Sequence, residues 1–206
     1  MVLIKLGILA STSGTDLQGI IDAIEAGVLP EAEISVVISN QQEAYALERA
    51  RKHDLTGIWI NPKEYADQEN FDRAVAAELD LRRVDLVLMI GYMRIVTPWF
   101  VEHYHGKMIN VHPSLLPAFG GAMDKNVHQA VLDSGVQETG CTIHFVTKQV
   151  DSGPIIYQKS IEIASDETVE SLKTRVQALE IDGFIEVIKR FAEGEIYVGK
   201  PSGRIN

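Results

Sequence analysis

Short, almost wholly apolar runs, each followed by a segment of helical period, constrain the fold of this chain most. Val2 to Leu9, Ile34 to Ser39, Ile58 to Ile60 and Asp85 to Ile90 are such runs. Strands that are apolar on both faces belong in a sheet covered on both sides, and their alternation with helices makes neighbours parallel. Between them Leu17, Ile20, Ile21 and Ile24 repeat at helical spacing, and Glu43 to His53 reads as a helix capped by Asn40. Tyr65 to Arg83 puts Phe71, Val75 and Leu79 on one helical face. A further apolar strand, expected at the centre of the sheet, carries Asn110. Beyond it, Gly140 to Val146 and Pro154 to Ile163 alternate like neighbouring strands. Thr168 to Phe191 then forms a long amphipathic helix, with Val169, Leu172, Val176, Leu179, Phe184 and Ile188 inward. No repeat or low-complexity segment interrupts the series.

Composition narrows the function classes. The 206 residues suffice for one domain with an ordinary core, and 46% hydrophobic with 23% charged residues are globular values. A formal charge of −10 with no basic patch argues against a nucleic-acid or acidic-membrane surface. No apolar run approaches the roughly 20 residues of a membrane span, and Met1 to Leu6 is too short for a signal peptide core. A single cysteine, Cys141, permits no internal disulfide and suits a reducing cytoplasm.

The chemistry concentrates in Lys107-Met-Ile-Asn110-Val-His112-Pro-Ser-Leu-Leu-Pro117. Pro113 stops the strand, because it cannot donate to a ladder and restricts the residue before it. Asn110 and His112 therefore point to one side of a strand end. A neutral donor beside a group that titrates near neutral pH suits a carbonyl becoming an oxyanion while a proton moves. The same two residues could instead brace the turn before Pro113. Ser13-Gly14-Thr15-Asp16, between the first strand and first helix, is equally open. It fits a loop that turns backbone N–H groups toward an anion, and it also fits a capping box that merely starts a helix. Gly91-Tyr-Met93-Arg94-Ile95-Val96 follows the fourth strand, where open α/β sheets bind ligands.

His103, His105 and His112 lack a fourth ligand of recognisable spacing, so no metal is expected, and the first two read as an exposed helix end. His144 reads as a structural histidine or one supporting the site, and His53 and His128 as solvated helix positions. Cys141 reads as a small buried residue rather than a nucleophile.

Asn110-x-His112-Pro-Ser-Leu-Leu-Pro117, with Thr142-Ile-His144-Phe-Val146 and Val150-Asp151-Ser-Gly-Pro154 downstream, resembles the folate-dependent formyltransferase family. The resemblance runs from Leu6 to about Phe191 and is nearest to the glycinamide ribonucleotide transformylases of purine biosynthesis. It implies formyl transfer from 10-formyltetrahydrofolate, a co-substrate, to the amine of phosphoribosylglycinamide. It implies Asn110, His112 and Asp151 as catalytic residues, with Asp151 favouring the imidazolium of His112. It also implies Gly14, Thr15, Asp16, Gln177 and Glu180 against the ribonucleotide. Met93, Arg94, Ile95, Val96, Asn110, Val146 and Asp151 would then line the folate site. Two departures stand out. Asp16 replaces an amide, and Gln68 falls where the family often has an arginine. The loop from Ala118 to Asn126 is a candidate lid or specificity element.

The expectation is a three-layer α/β domain over residues 1–206. Its Rossmann-like, mostly parallel half at 1–110 would hold the phosphate. The half at 111–206 would add antiparallel strands, the folate site and the final helix. Small-molecule substrates, no nucleic acid or membrane, a cytoplasmic location and a monomer or homodimer complete the reading. A sister transferase acting on an amino-sugar nucleotide or initiator methionyl-tRNA would share the chemistry, and a formyl-folate hydrolase would release formate instead.

Overall fold

The computed structural model describes residues 3–121 and 127–196. Seven strands form one sheet: β1 (Ile4–Leu9), β2 (Ala32–Ser39), β3 (Gly57–Trp59), β4 (Leu86–Met89), β5 (Met108–His112), β6 (Glu138–Phe145) and β7 (Ile155–Glu162). Their spatial order is β3-β2-β1-β4-β5-β6-β7. The pairs from β3 through β5 are parallel, whereas β5–β6 and β6–β7 are antiparallel. The mixed sheet is thus the one expected. The strand of Asn110 is not central, however. It is fifth in the order and lies where parallel pairing turns antiparallel.

Helices cover both faces: α1 (Thr15–Glu25), α2 (Tyr45–Lys52), α3 (Gln68–Leu81), α4 (Pro98–His103), α5 (Val127–Ser134) and α6 (Val169–Ala192). One apolar cluster joins Leu6, Ile8 and Leu88 to Leu17 and Ile20 of α1 and to Phe184 and Ile188 of α6. The opposite face packs Leu9, Val87 and Met89 against Phe71, Val75 and Leu79 of α3 and Phe100 of α4. Alternate residues of one strand thus enter opposite cores, which is why these strands are apolar throughout.

Several boundaries moved for identifiable reasons. α2 begins at Tyr45 with Ala44 as its N-cap, because Asn40 is engaged elsewhere: Ser11 Oγ donates to its Oδ1 at 2.5 Å. α3 begins at Gln68, where Asp67 accepts from the Asn70 N–H, and Pro62–Glu64 forms a separate 3₁₀ turn. α6 starts with a complete capping box between Thr168 and Ser171. Of the expected lid, Ala118 to Gly121 are described and residues 122–126 lie outside the described residues.

Candidate active site

β5 closes the parallel part of the sheet, and Asn110 and His112 project to one side at its carboxyl end. Antiparallel register sets Asn110 opposite His144 and His112 opposite Thr142. Both imidazoles are buried, His112 at 4% exposure and His144 at 2%. His144 Nδ1 lies 3.0 Å from the Phe145 carbonyl and donates to it. Its Nε2 lies 3.3 Å from Asn110 Nδ2, so the imidazole holds the Asn110 amide at the cavity that the residue lines.

The turn after Pro113 is held by Thr142. Its hydroxyl donates to the Ser114 carbonyl at 2.7 Å and accepts from the Leu116 N–H at 3.0 Å. Gln158 Nε2 on β7 donates to the same hydroxyl at 2.9 Å and to the Leu116 carbonyl at 3.0 Å. The turn delivers Phe119, at φ 60, so that its carbonyl accepts from His112 Nε2 at 3.0 Å.

Asp151 occupies the β6–β7 turn at φ 50, a left-handed conformation that aspartate tolerates better than most residues. Its Oδ2 lies 3.3 Å from His112 Nδ1 and its Oδ1 3.5 Å from His144 Nε2. Oδ2 also accepts from the Gly121 N–H at 3.0 Å. Burial raises the Asp151 pKa, but His144, the Gly121 amide and the His112 charge outweigh it, and the carboxyl ends below its ordinary range.

For His112 the balance falls the other way. Burial pulls its pKa down, and the Asp151 carboxylate and Phe119 carbonyl pull it up without prevailing, so it lies below the ordinary imidazole value. This corrects the expectation of a resting imidazolium. Asp151 does favour the charged form, yet a ring this buried is mostly neutral at neutral pH.

These groups open onto a cavity of about 600 Å³. It takes in Thr12 to Asp16, Met93 to Val96, Val146, Gln177 and Glu180, so the site residues expected from the sequence converge. The loop after β4 is tied to the loop after β1: Met93 N–H donates to Ser11 Oγ at 2.8 Å, and Ser11 N–H to the Gly91 carbonyl at 3.1 Å. Met93 and Ile95 are exposed along it, and Val96 is buried. The Arg94 guanidinium is turned onto the Phe71 ring, 4.7 Å from its centroid. Gln68 Nε2 donates to the Ile95 carbonyl, so the glutamine braces the slot.

Of the two readings of Ser13 to Asp16, the capping box is absent. Gly14 is the N-cap of α1 in the left-handed region, φ 64, and no side chain caps the helix. The first-turn amides, which have no intrahelical partner, sit where the cavity is lined by Gly14 and Thr15. Asp16 is buried rather than capping, at 7% exposure, and packs with Glu180, at 5%. His128 is also a correction: it is buried against the cavity, where burial and then Lys173 push its pKa down. His53 is half-buried, and its Nδ1 meets Glu25 at 2.7 Å. His103 is exposed as expected and stacks on Trp99. Lys173 also lines the cavity, though no motif in the sequence marks it. The signal is one of spacing, because Lys173, Gln177 and Glu180 form a polar stripe on the cavity side of an otherwise apolar helix face.

Among the described residues, no group of three or more His, Cys, Asp or Glu is arranged to hold a metal, and no helix is long and apolar enough to cross a membrane.

An Asn–His–Asp constellation, its imidazole buried, lies where parallel pairing turns antiparallel in the mixed seven-stranded sheet, an arrangement suited to group transfer. The sequence pattern described as Formyl transferase matches residues 4–188, and the chain belongs to that family. It is 38% identical over 192 residues to the phosphoribosylglycinamide formyltransferase of Haemophilus influenzae, covering 93% of this chain and 89% of that protein. It is also 38% identical over 202 residues to the trifunctional purine biosynthetic protein adenosine-3 of Gallus gallus, of which it spans 20%. The crystal structure of glycinamide ribonucleotide transformylase 1 from Symbiobacterium toebii superposes with a TM-score of 0.89 at 41% identity. That match covers 96% of this chain and 91% of the other.

Proposed function

We propose that this chain transfers the formyl group of 10-formyltetrahydrofolate to the amine of 5′-phosphoribosylglycinamide, a step of purine biosynthesis. The observation that carries the reading is the convergence of Asn110, His112 and Asp151 on one cavity in a member of the formyl transferase family. Similarity to a phosphoribosylglycinamide formyltransferase along 89% of its length favours this acceptor. The exposed apolar edge of Met93 and Ile95, with Val146 on the cavity wall, suits a flat heterocycle, so the residues present fit a folate. The first-turn amides of α1 suit a phosphate.

In the reaction the amine attacks the formyl carbon and the carbonyl oxygen becomes an oxyanion. The cavity-facing N–H of Asn110 donates to that oxygen. His112 is adjacent and neutral at rest, and a negative oxyanion beside it favours its protonation. Asp151 supports that charge and fixes the ring. Collapse breaks the bond from carbon to the folate nitrogen. The amine gives up one proton and the leaving nitrogen takes one, so no proton is gained or lost overall. Tetrahydrofolate and the formylated ribonucleotide leave. The proposed setting is the cytoplasm, consistent with a single, buried and free cysteine.

Tetrahydrofolate release, measured with a panel of acceptors, tests the reading. Release that depends on phosphoribosylglycinamide is expected. Release that depends only on a sugar nucleotide would move the chain to a sister transferase, and equal release in buffer alone would make it a hydrolase.

A further inference from the structure

Asp16 and Glu180 come from elements far apart in sequence and meet where α1 crosses α6. Gly19 makes the approach possible: a Cβ there would stand 2.5 Å from Ile181 Cγ2, the residue next to Glu180. One turn before Gly19, the Asp16 carboxyl is thereby carried onto Glu180. Both are buried and both line the cavity, close enough for each to act on the charge of the other. Two buried carboxylates side by side repel each other, so the pair favours a proton on one of them, which then donates to the other. Asp16 Oδ1 remains fully buried with no hydrogen-bond partner among the described residues.

We infer that Asp16 and Glu180 act as one proton-sharing unit that sets the charge met by the phosphorylated ribose of the substrate. While the proton is shared, the site accommodates the phosphate at the first-turn amides of α1. Once it is lost, a second buried negative charge opposes that phosphate. The inference rests on the acceptor proposed above and adds a specificity role for Asp16.

The surroundings support retention of the proton. Burial lifts the Asp16 carboxyl to about 7, the hydrogen bond from Glu180 opposing it. Burial and then the Asp16 charge push Glu180 well above the usual carboxylate range, with Lys173 pulling it back. On β6, the buried Cys141 faces both carboxyls, and burial with their charges pushes its thiol up to about 12, so it offers no compensating group. On α5, His128 lies beside Lys173 and is held neutral by burial. On α2, Arg49 is committed to the Ser13 carbonyl and to Gln18 at 2.8 Å each rather than to either carboxyl.

The test measures phosphoribosylglycinamide affinity and thermal stability from pH 6 to 9 in wild type, Asp16→Asn and Glu180→Gln. Comparing wild type with variant at each pH cancels the titration of the ligand itself. Above neutral pH the wild-type Kd should rise relative to Asp16→Asn by up to about tenfold per pH unit, the limit for one linked proton. Glu180→Gln should flatten the dependence as well. The stability sign follows from raised carboxyl pKa values: their contribution is present at low pH and lost as pH rises, through about 7 for Asp16 and through the raised value of Glu180. The melting temperature of Asp16→Asn should therefore gain on wild type as pH rises. A growing stability gap with a flat affinity ratio would overturn the inference, because the pair would share a proton without facing the ligand. A flat gap and a flat ratio would overturn the shared proton itself. No binding by any of the proteins at any pH would instead overturn the proposed acceptor, and this inference with it.

Discussion

His112 Nδ1 stands 3.3 Å from Asp151 Oδ2, while the Nε2 of the same ring donates to the Phe119 carbonyl at 3.0 Å. With Nε2 carrying its hydrogen, Nδ1 and the carboxylate face each other as two acceptors unless a proton lies between them. The contact is therefore built for an imidazolium, yet burial keeps the free ring below its ordinary pKa. The site is poised to take up positive charge when an oxyanion arrives.

Asp151→Asn removes the carboxylate that favours the imidazolium, so the His112 pKa should fall further below its ordinary value. The rate should drop at neutral pH and recover in part toward lower pH, as long as the amine nucleophile stays deprotonated. An NMR titration of His112 in both forms checks the shift, and an unchanged pKa would leave Asp151 a positioning role alone. Both groups also imply an acid-side loss of stability. The lowered pKa of Asp151 and that of His112 each give a contribution present above the unfolded value and lost as pH falls through the folded one.

Asn110→Ala removes the donor to the formyl oxygen and leaves the His112–Asp151 contact in place. The turnover number should fall by about 10²–10³, the loss typical of one oxyanion donor, and roughly evenly across pH. A loss confined to one side of the profile would assign the effect to His112 or His144 instead.

Thr142→Val keeps the side-chain shape and deletes the hydroxyl on which Ser114, Leu116 and Gln158 converge. A buried N–H at Leu116 and a buried carbonyl at Ser114 lose their partner. Urea unfolding should show a loss of about 2–4 kcal/mol, one to two unsatisfied buried groups. A change below about 0.5 kcal/mol would mean that the turn is held by Pro113 and Pro117 alone.

Much of this fold was legible in the chain. Apolar runs such as Leu86–Met89 marked the parallel strands, and alternation at Gly140 to Val146 marked β6. What was not legible depends on contacts between distant segments. Ser13 to Asp16 satisfies a local capping rule, but close packing of α1 on α6 turns Asp16 inward to Glu180. His128 has the spacing of a solvated helix position, and its burial depends on where α5 settles. Asn40 looked like a cap because its tie to Ser11 spans 29 residues. The charge balance at His112 is hidden for a related reason: a sequence reveals a neighbouring carboxylate more readily than the depth at which both groups are buried.

Ile95→Asp tests the apolar edge. Ile95 is exposed beside the cavity, and covering such a side chain with a ligand ring is worth about 1.5–3 kcal/mol. The KM for 10-formyltetrahydrofolate should rise roughly 10- to 100-fold on that scale, and the KM for the ribonucleotide should hold. An equal rise in both would show that the substitution disturbs the whole loop, including the Ser11–Met93 bond.

The fate of the transferred carbon tests the central claim most directly. With 10-formyltetrahydrofolate labelled with ¹³C at the formyl carbon, plus phosphoribosylglycinamide, the label should appear as a formamide on the ribonucleotide amine, one for each tetrahydrofolate released. Label recovered as formate, with the amine unmodified, would contradict the account.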